Sequence, residues 1–339
     1  MRFGLLVLVV GCSDYNLDGA PDHAGEKPPL EETTTGPSTD SATTSTDTED
    51  SATGTVPSVD TAAPEGKIDV VLLIDEAYFY DCYHADLPRR STELIDLLLG
   101  SGADVAIAVA TFDDYQVTDA WYAGDNGLPY ALTQQLTTDA GRLHNAASGL
   151  SLAWGGDWQG SGYEAIAQAA RGRGFDQDCN GRYDAATDVK PFTASASDAF
   201  GGAAADSSDS SVPGTGTIQG VGFRTDSARV IVVFAENGFR SAALGHPMPT
   251  GTCPGPASAS SAASEMDAAK AKFLGVNSYE FQDIDPTLQG QLEELATLTD
   301  SRYDANGDGN PNELAVLAGS WDWPDANRVV AAIWDLAGS

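Results

Sequence analysis

Asp69-Val70-Val71-Leu72-Leu73-Ile74-Asp75 is an unbroken aliphatic run closed at both ends by an acid. A strand with one wet face alternates apolar and polar side chains. This run does not, so it reads as a strand buried on both faces, as in a parallel sheet covered by helices. Residues 104–112 (Asp-Val-Ala-Ile-Ala-Val-Ala-Thr-Phe) and 229–235 (Arg-Val-Ile-Val-Val-Phe-Ala) repeat the pattern, and 273–279 supplies a further strand. Helical spacing predicts helices over 92–99, 163–170, 265–272, 288–298 and 326–336. Strands alternating with helices from Lys67 onward predict a doubly wound α/β fold, a mostly parallel central sheet flanked by helices. Ligands of such sheets bind beyond the carboxyl ends of the strands. Asp75, Asp113, Asp114, Glu236 and Asn237 all fall at those ends.

Upstream of this pattern the chain changes character. Arg2 followed by an apolar run over 3–10 reads as an export signal, because eight residues are far short of the roughly 20 that cross a bilayer. The run ends at Val9-Val10-Gly11-Cys12, which resembles a bacterial lipobox. The resemblance implies removal of 1–11, acylation of Cys12 and a lipid anchor, most simply in the outer membrane. Residues 12–66 are a Thr/Ser/Asp/Pro/Gly tract with almost nothing large and apolar to bury, so they read as a disordered tether. The whole chain of 339 residues carries 50 acidic against 17 basic side chains, a net of −33. Such a charge repels nucleic acid and anionic lipid headgroups, which leaves the anchor as the membrane contact. It also attracts divalent cations, or simply keeps the protein soluble.

The order of segments from 67 to 339 resembles a von Willebrand factor A domain, and in detail the variant of integrin β chains. The likeness rests on a strand ending in Asp75, an acidic loop after it, and Ala153-Trp154-Gly155-Gly156-Asp157-Trp158-Gln159-Gly160-Ser161-Gly162-Tyr163-Glu164-Ala165-Ile166 before a helix. It rests also on the closing strand–helix–strand–helix, with insertions near 175–228 and 245–264. The resemblance implies a divalent cation such as magnesium, held at the top of a von Willebrand factor A/Rossmann-like sheet, where an acid from the partner completes the coordination. Its first loop normally reads Asp-x-Ser-x-Ser. Here Asp75 remains, but Ala77 and Phe79 replace the hydroxyls. The second loop gives Asp157 and then Gly160, and the third gives Asn237, with Glu236 beside it, where an Asp is normal. Either this adhesion site is lost or weakened, or Glu76, Asp81, Asp86, Asp157 and Glu236 rebuild it in a displaced form. Phe79 cannot ligate and takes up space beside an ion, which favours loss. Tyr78, Phe79, Tyr80 and Tyr83 then offer aromatic anchors for a partner in a loop spanning 75–87.

Two loops suit calcium better. Asp176-Gln177-Asp178-Cys179-Asn180-Gly181-Arg182-Tyr183-Asp184 places oxygen donors at positions 1, 3, 5 and 9 with Gly at 6, the EF-hand spacing. Position 12 is Thr187, so the last ligand has to come from Asp188 or elsewhere. Asp304-Ala305-Asn306-Gly307-Asp308-Gly309-Asn310-Pro311-Asn312 repeats the spacing, and resembles the calcium loops of dockerins and thrombospondin repeats. Calcium in either loop would be structural. Cys82, Cys179 and Cys253 allow three single disulfides, and spacing does not choose among them.

Catalytic signatures are absent from the sequence. There is no Gly-x-Ser-x-Gly, His-Glu-x-x-His or phosphate-loop pattern. Cys82 with His84 lacks a third group to orient the pair, and His144 falls on a predicted helix as a surface or core residue. The sequence therefore predicts a non-enzymatic, lipid-anchored surface protein. Its upper face, built from 75–87, 113–121, 154–162 and 236–240, would bind an extracellular protein or polysaccharide. The alternative is a passive envelope-assembly protein that uses the fold as a scaffold.

Overall fold

Strand β1 (Lys67–Asp75) lies in the middle of a six-stranded sheet. In the computed structural model, β1 runs parallel to β2 (Asp104–Phe112) and to β4 (Ser227–Ala235) along its length. Strand β5 (Ala271–Asn277) adds to β4, and the short β8 (Val316–Ala318) adds to β5, both parallel. Strand β3 (Ala131–Thr137) closes the other edge antiparallel to β2, with shifts of register near Ile107–Ala110. The sheet order is thus β3-β2-β1-β4-β5-β8. The structure describes residues 64–76, 81–116, 128–150, 159–181, 184, 187–192, 220–278, 286–305, 310–318 and 325–339, and only the backbone of 81–86 and 318. Cys12, Tyr78, Phe79, Tyr80, Asp157, Asn306 and Asp308, with the signal and nearly all of the tether, lie outside the described residues.

The unbroken apolar runs feed two layers. Val71, Leu73, Ala106, Ala108, Ala110, Ile231 and Val233 face α3 (Gly162–Arg171), α4 (Ala259–Ala269) and α5 (Pro286–Leu298). Ile68, Val70, Leu72, Ile74, Ile107, Val109, Val230 and Val232 face α1 (Asp81–Gly100), α2 (Ala140–Ser148) and α6 (Ala326–Gly338). The alanines of β2 let α3 sink deep: every residue from Gly162 to Ala170 is buried. At Gly162 an added Cβ would lie 2.3 Å from the Phe239 ring, so glycine is required where the helix meets the sheet end. The predicted α/β sheet is therefore the observed one.

Several local readings need correction. Helix α1 begins at Asp81, not Thr92, and runs through Pro88; Tyr83 is thus helical, and the loop after Asp75 stops short of 87. Proline suggested a break, but Leu87, Leu94, Ile95 and Leu98 all pack on the sheet, and tertiary burial outweighs local propensity. Helix α4 begins at Ala259, within the stretch read as the 245–264 insertion, and ends at Ala269, so Lys272 belongs to β5. Ser258 and Ser261 form a capping box, and Ala259, Ala262, Ala263 and Met266 are buried. The Ala/Ser composition marks close packing there, not flexibility. Near the end of the 175–228 insertion, too, the chain is packed: Val221 is fully buried and its carbonyl accepts from Leu136 N (3.0 Å).

At the base of the sheet, Asp69 is wholly buried yet well satisfied. Arg224 Nε (2.5 Å), Arg224 N (2.7 Å) and Ser227 Oγ (2.7 Å) all donate to its carboxylate. Buried charge is tolerated when it is paired and hydrogen-bonded in this way.

Candidate functional site

The strand order reverses between β1 and β4, so the crevice of this sheet opens at their carboxyl ends. Asp75 closes β1 there and Glu236 follows β4, and the Glu236 N–H donates across the gap to Asp75 Oδ2 at 3.4 Å. Asp113 and Asp114 follow β2 on the same rim. All four acids are at most 2% exposed. Asn237, also buried, has a side-chain Nδ2 with no hydrogen-bond partner. Native structures rarely leave a buried amide donor open, since that costs about 1–3 kcal/mol. Asn237 is thus the rim residue best placed to meet an oxygen of a bound molecule.

The rim is braced from below by α3 and the loop after β4. Ser161 donates its N–H (2.8 Å) and hydroxyl (3.0 Å) to the Asp113 carbonyl, and the hydroxyl also reaches Pro129 O (2.9 Å). Arg240, fully buried, pairs with Asp114 through Nε (2.9 Å) and through Nη2, and donates from Nη1 to Pro247 O (2.8 Å). Its backbone N–H holds Gly160 O at 2.7 Å. Phe239 is fixed by a reciprocal pair with Gln291, Phe239 N to Oε1 (2.6 Å) and Nε2 to Phe239 O (2.8 Å). Neither Arg240 nor Gln291 stands out in the sequence. An arginine five residues beyond a strand end on an acidic rim is the signal that could have found the first.

The 176–188 loop brings three carboxylates together. One oxygen each of Asp176, Asp178 and Asp188 lies within 4.8 Å of the others. Asp176 accepts from Gly181 N (2.8 Å) and Asn180 N (3.3 Å), and Asn180 Nδ2 donates to Asp178 (2.6 Å). Asp184 stays outside the trio; its N–H donates to Asp188 Oδ2 at 2.7 Å. Asp188, which the sequence offered as a source of the last ligand, is thus the third acid of the loop, and Asp184 at position 9 is not part of it. Three convergent carboxylate oxygens suit a hard divalent ion such as calcium. Among the described residues no other three acidic, histidine or cysteine side chains approach so closely, so Asp75, Asp113 and Glu236 form no comparable cluster. Of the three possible pairings, the structure makes Cys179–Cys253.

The second predicted calcium loop connects the hairpin strands β6 (Arg302–Tyr303) and β7 (Glu313–Leu314). Asp304 N donates to Asp335 Oδ2 (3.0 Å), and the carbonyl of exposed Asn312 accepts from Arg302 Nη1 (2.9 Å). His144 lies exposed on α2, 2.8 Å from Asp96. One buried acid escapes a reading of the sequence: Glu164, in the first turn of α3. It accepts from Gln168 Nε2 (2.7 Å), Ala257 N (2.8 Å) and Tyr115 Oη (3.5 Å). Burial raises its pKa against these donors, and burial with Glu164 and Asp114 nearby raises that of Tyr115. A lone Glu among the small residues of α3 is the available signal.

No protein-family model matches the chain, and no curated protein matches it. Among solved structures, two crystal forms of proximal thread matrix protein 1 from the mussel byssus are similar at a TM-score of 0.41. Identity is 8% over 80% of this chain and 46% of that one in one form, and 10% over 81% and 47% in the other. The chain therefore spans less than half the length of these solved chains. None of the helices among the described residues is long and apolar enough to cross a membrane.

Proposed function

We propose that this chain is an exported, lipid-anchored surface protein whose von Willebrand factor A-like domain binds an extracellular protein or glycan at the rim, without catalysis. The carrying observation is the switch point itself, where Glu236 bridges to Asp75 and the Asn237 amide keeps an open donor. Strand β1 starts at Lys67 and spans nine residues before Asp75 ends it, so at the usual rise the rim lies about 26 Å from the start of the strand. Calcium in the 176–188 loop, with Asp176, Asp178 and Asp188 as ligands, would stiffen that loop. Asp304 and Asn312 would serve a second ion between β6 and β7. At the rim, Asp75, Glu236 and Asn237 would meet either magnesium or the partner directly, and Tyr78, Phe79 and Tyr80 would supply apolar contacts.

Calorimetric titration of calcium and magnesium into the full chain tests the ion readings. Calcium heat that vanishes in Asp176→Ala but survives in Asp75→Ala supports a structural loop ion. No heat from either metal sinks it. For the partner, a panel of extracellular matrix proteins and glycans is read by surface plasmon resonance. A ligand whose affinity drops at least about tenfold in Asn237→Ala, the effect of one buried hydrogen bond, supports the rim. Unchanged binding in that variant moves the site elsewhere. Palmitate-labelled Cys12, lost in Cys12→Ala together with the membrane fraction, tests the anchor.

A further inference from the structure

The described ends of the 175–189 segment are tied down several times over. Cys179 and Cys253, 74 residues apart, are disulfide-bonded, and Asp176 and Cys253 exchange two backbone hydrogen bonds of 2.8 Å. Phe175 and Val189 exchange two more, also of 2.8 Å. Asp188 Oδ1 then accepts from Gln177 N at 3.0 Å, which fixes the buried Gln177 side chain at its root. It meets the backbone of Gln116, three residues beyond Asp113 on the rim. Gln116 N donates to Gln177 Oε1 (3.2 Å), and Gln177 Nε2 donates to Gln116 O (3.1 Å). This closed pair copies what a neighbouring strand would offer, and it needs a donor and an acceptor side by side, which only a primary amide supplies. One residue earlier the Tyr115 ring lies on Phe175 (centroids 5.4 Å apart), while its hydroxyl reaches Glu164.

We propose that the stapled 175–189 loop is the strut that orders the rim loop after β2, with Gln177 as the positioning residue, so that the state of the Cys179–Cys253 bond is felt at Gln116. Ordering the stapled loop fixes Gln177, and Gln177 fixes Gln116, which continues the segment of Asp113 and Asp114 beyond the points where Ser161 and Arg240 hold it. The proposal rests on the proposed function only in taking 113–116 as part of the binding face; the linkage itself needs neither a bound ion nor a known partner.

Hydrogen exchange read by mass spectrometry on the full chain tests it without any ligand. Gln177→Met, which keeps size but removes donor and acceptor, should speed exchange of the Gln116 amide roughly tenfold, the effect of losing two ordinary hydrogen bonds. Amides of β1 and β4 should not change. Gln177→Glu, which keeps the acceptor alone, should fall between. Reducing the disulfide in the wild type should produce the same local signature, and should add little to it in Gln177→Met. Unchanged Gln116 exchange in Gln177→Met overturns the proposal. So does faster exchange spread equally over β1 and β4, which would make Gln177 a general stabiliser. Loss of partner binding with intact Gln177 coupling would count against the rim reading and leave the strut standing.

Discussion

The two ends of the central sheet both bury acids, but they treat them differently. At the base, one carboxylate, Asp69, receives Arg224 and Ser227 and is matched by a guanidinium at 2.5 Å. At the rim, four carboxylates, Asp75, Asp113, Asp114 and Glu236, are buried along three adjacent strand ends, and Arg240 is committed to Asp114. The base is arranged for stability: remove a partner and an uncompensated charge stays behind. The rim gathers four acids and the open Asn237 amide at the switch point, where the proposed partner would be met.

The largest effect should come from the one rim pair that resembles the base. Arg240→Ala leaves Asp114 buried without its guanidinium and should lower the unfolding free energy by about 3–5 kcal/mol in urea denaturation. A loss below about 1 kcal/mol, the scale of an exposed pair, would show that Arg240 serves the ligand and not the fold. Arg224→Ala should cost less, about 2 kcal/mol, because the backbone N–H of residue 224 and Ser227 Oγ still satisfy Asp69. A loss as large as for Arg240→Ala would show that the remaining donors do not satisfy Asp69.

Glu164 sharpens the same comparison through pH. Its folded pKa is raised by burial above the ordinary 4.5, so the folded state favours the protonated acid. The stability this brings is fully present below the unfolded pKa and is lost as pH rises through the folded value. Urea melts at a series of pH values across that window should show the wild type losing stability relative to Glu164→Gln, whose neutral amide does not titrate. Above the folded pKa the difference should level off. Parallel curves for the two proteins would remove Glu164 from the electrostatics of the α3 end.

The fold was legible because buried parallel strands advertise themselves. The 69–75, 104–112 and 229–235 runs are β1, β2 and β4 almost to the residue, since no solvent face interrupts their apolar pattern. Strand β3 was not legible: its Ala-Leu-Thr-Gln-Gln-Leu-Thr sequence buries Gln134 and Gln135 at an edge, where composition says little. Pro88 hid the start of α1, and the Ala/Ser run hid α4. For the rim, strand ends located Asp75, Asp113, Glu236 and Asn237, because position on a doubly wound sheet is set by order alone. The long-range pairs were beyond reach. Arg240–Asp114, Gln116–Gln177 and Cys179–Cys253 join residues 126, 61 and 74 positions apart, and no local pattern encodes such closures. In the 176–188 loop, spacing found Asp176 and Asp178 and offered Asp188 as one source of the last ligand, whereas Asp184 lies outside the trio.

Charge-neutralising twins at the two ends of one strand put the contrast to its most direct trial. Asp69→Asn and Asp75→Asn both stand on β1, and their thermal melts without ligand can be compared under one condition. Asp69→Asn should lose several degrees, because Arg224 keeps only the exposed Asp104 as a carboxylate partner, whereas Asp75→Asn should melt at or above the wild-type temperature. Equal losses for both would mean that Asp75 supports the fold as Asp69 does, and the rim would no longer stand apart as the binding end.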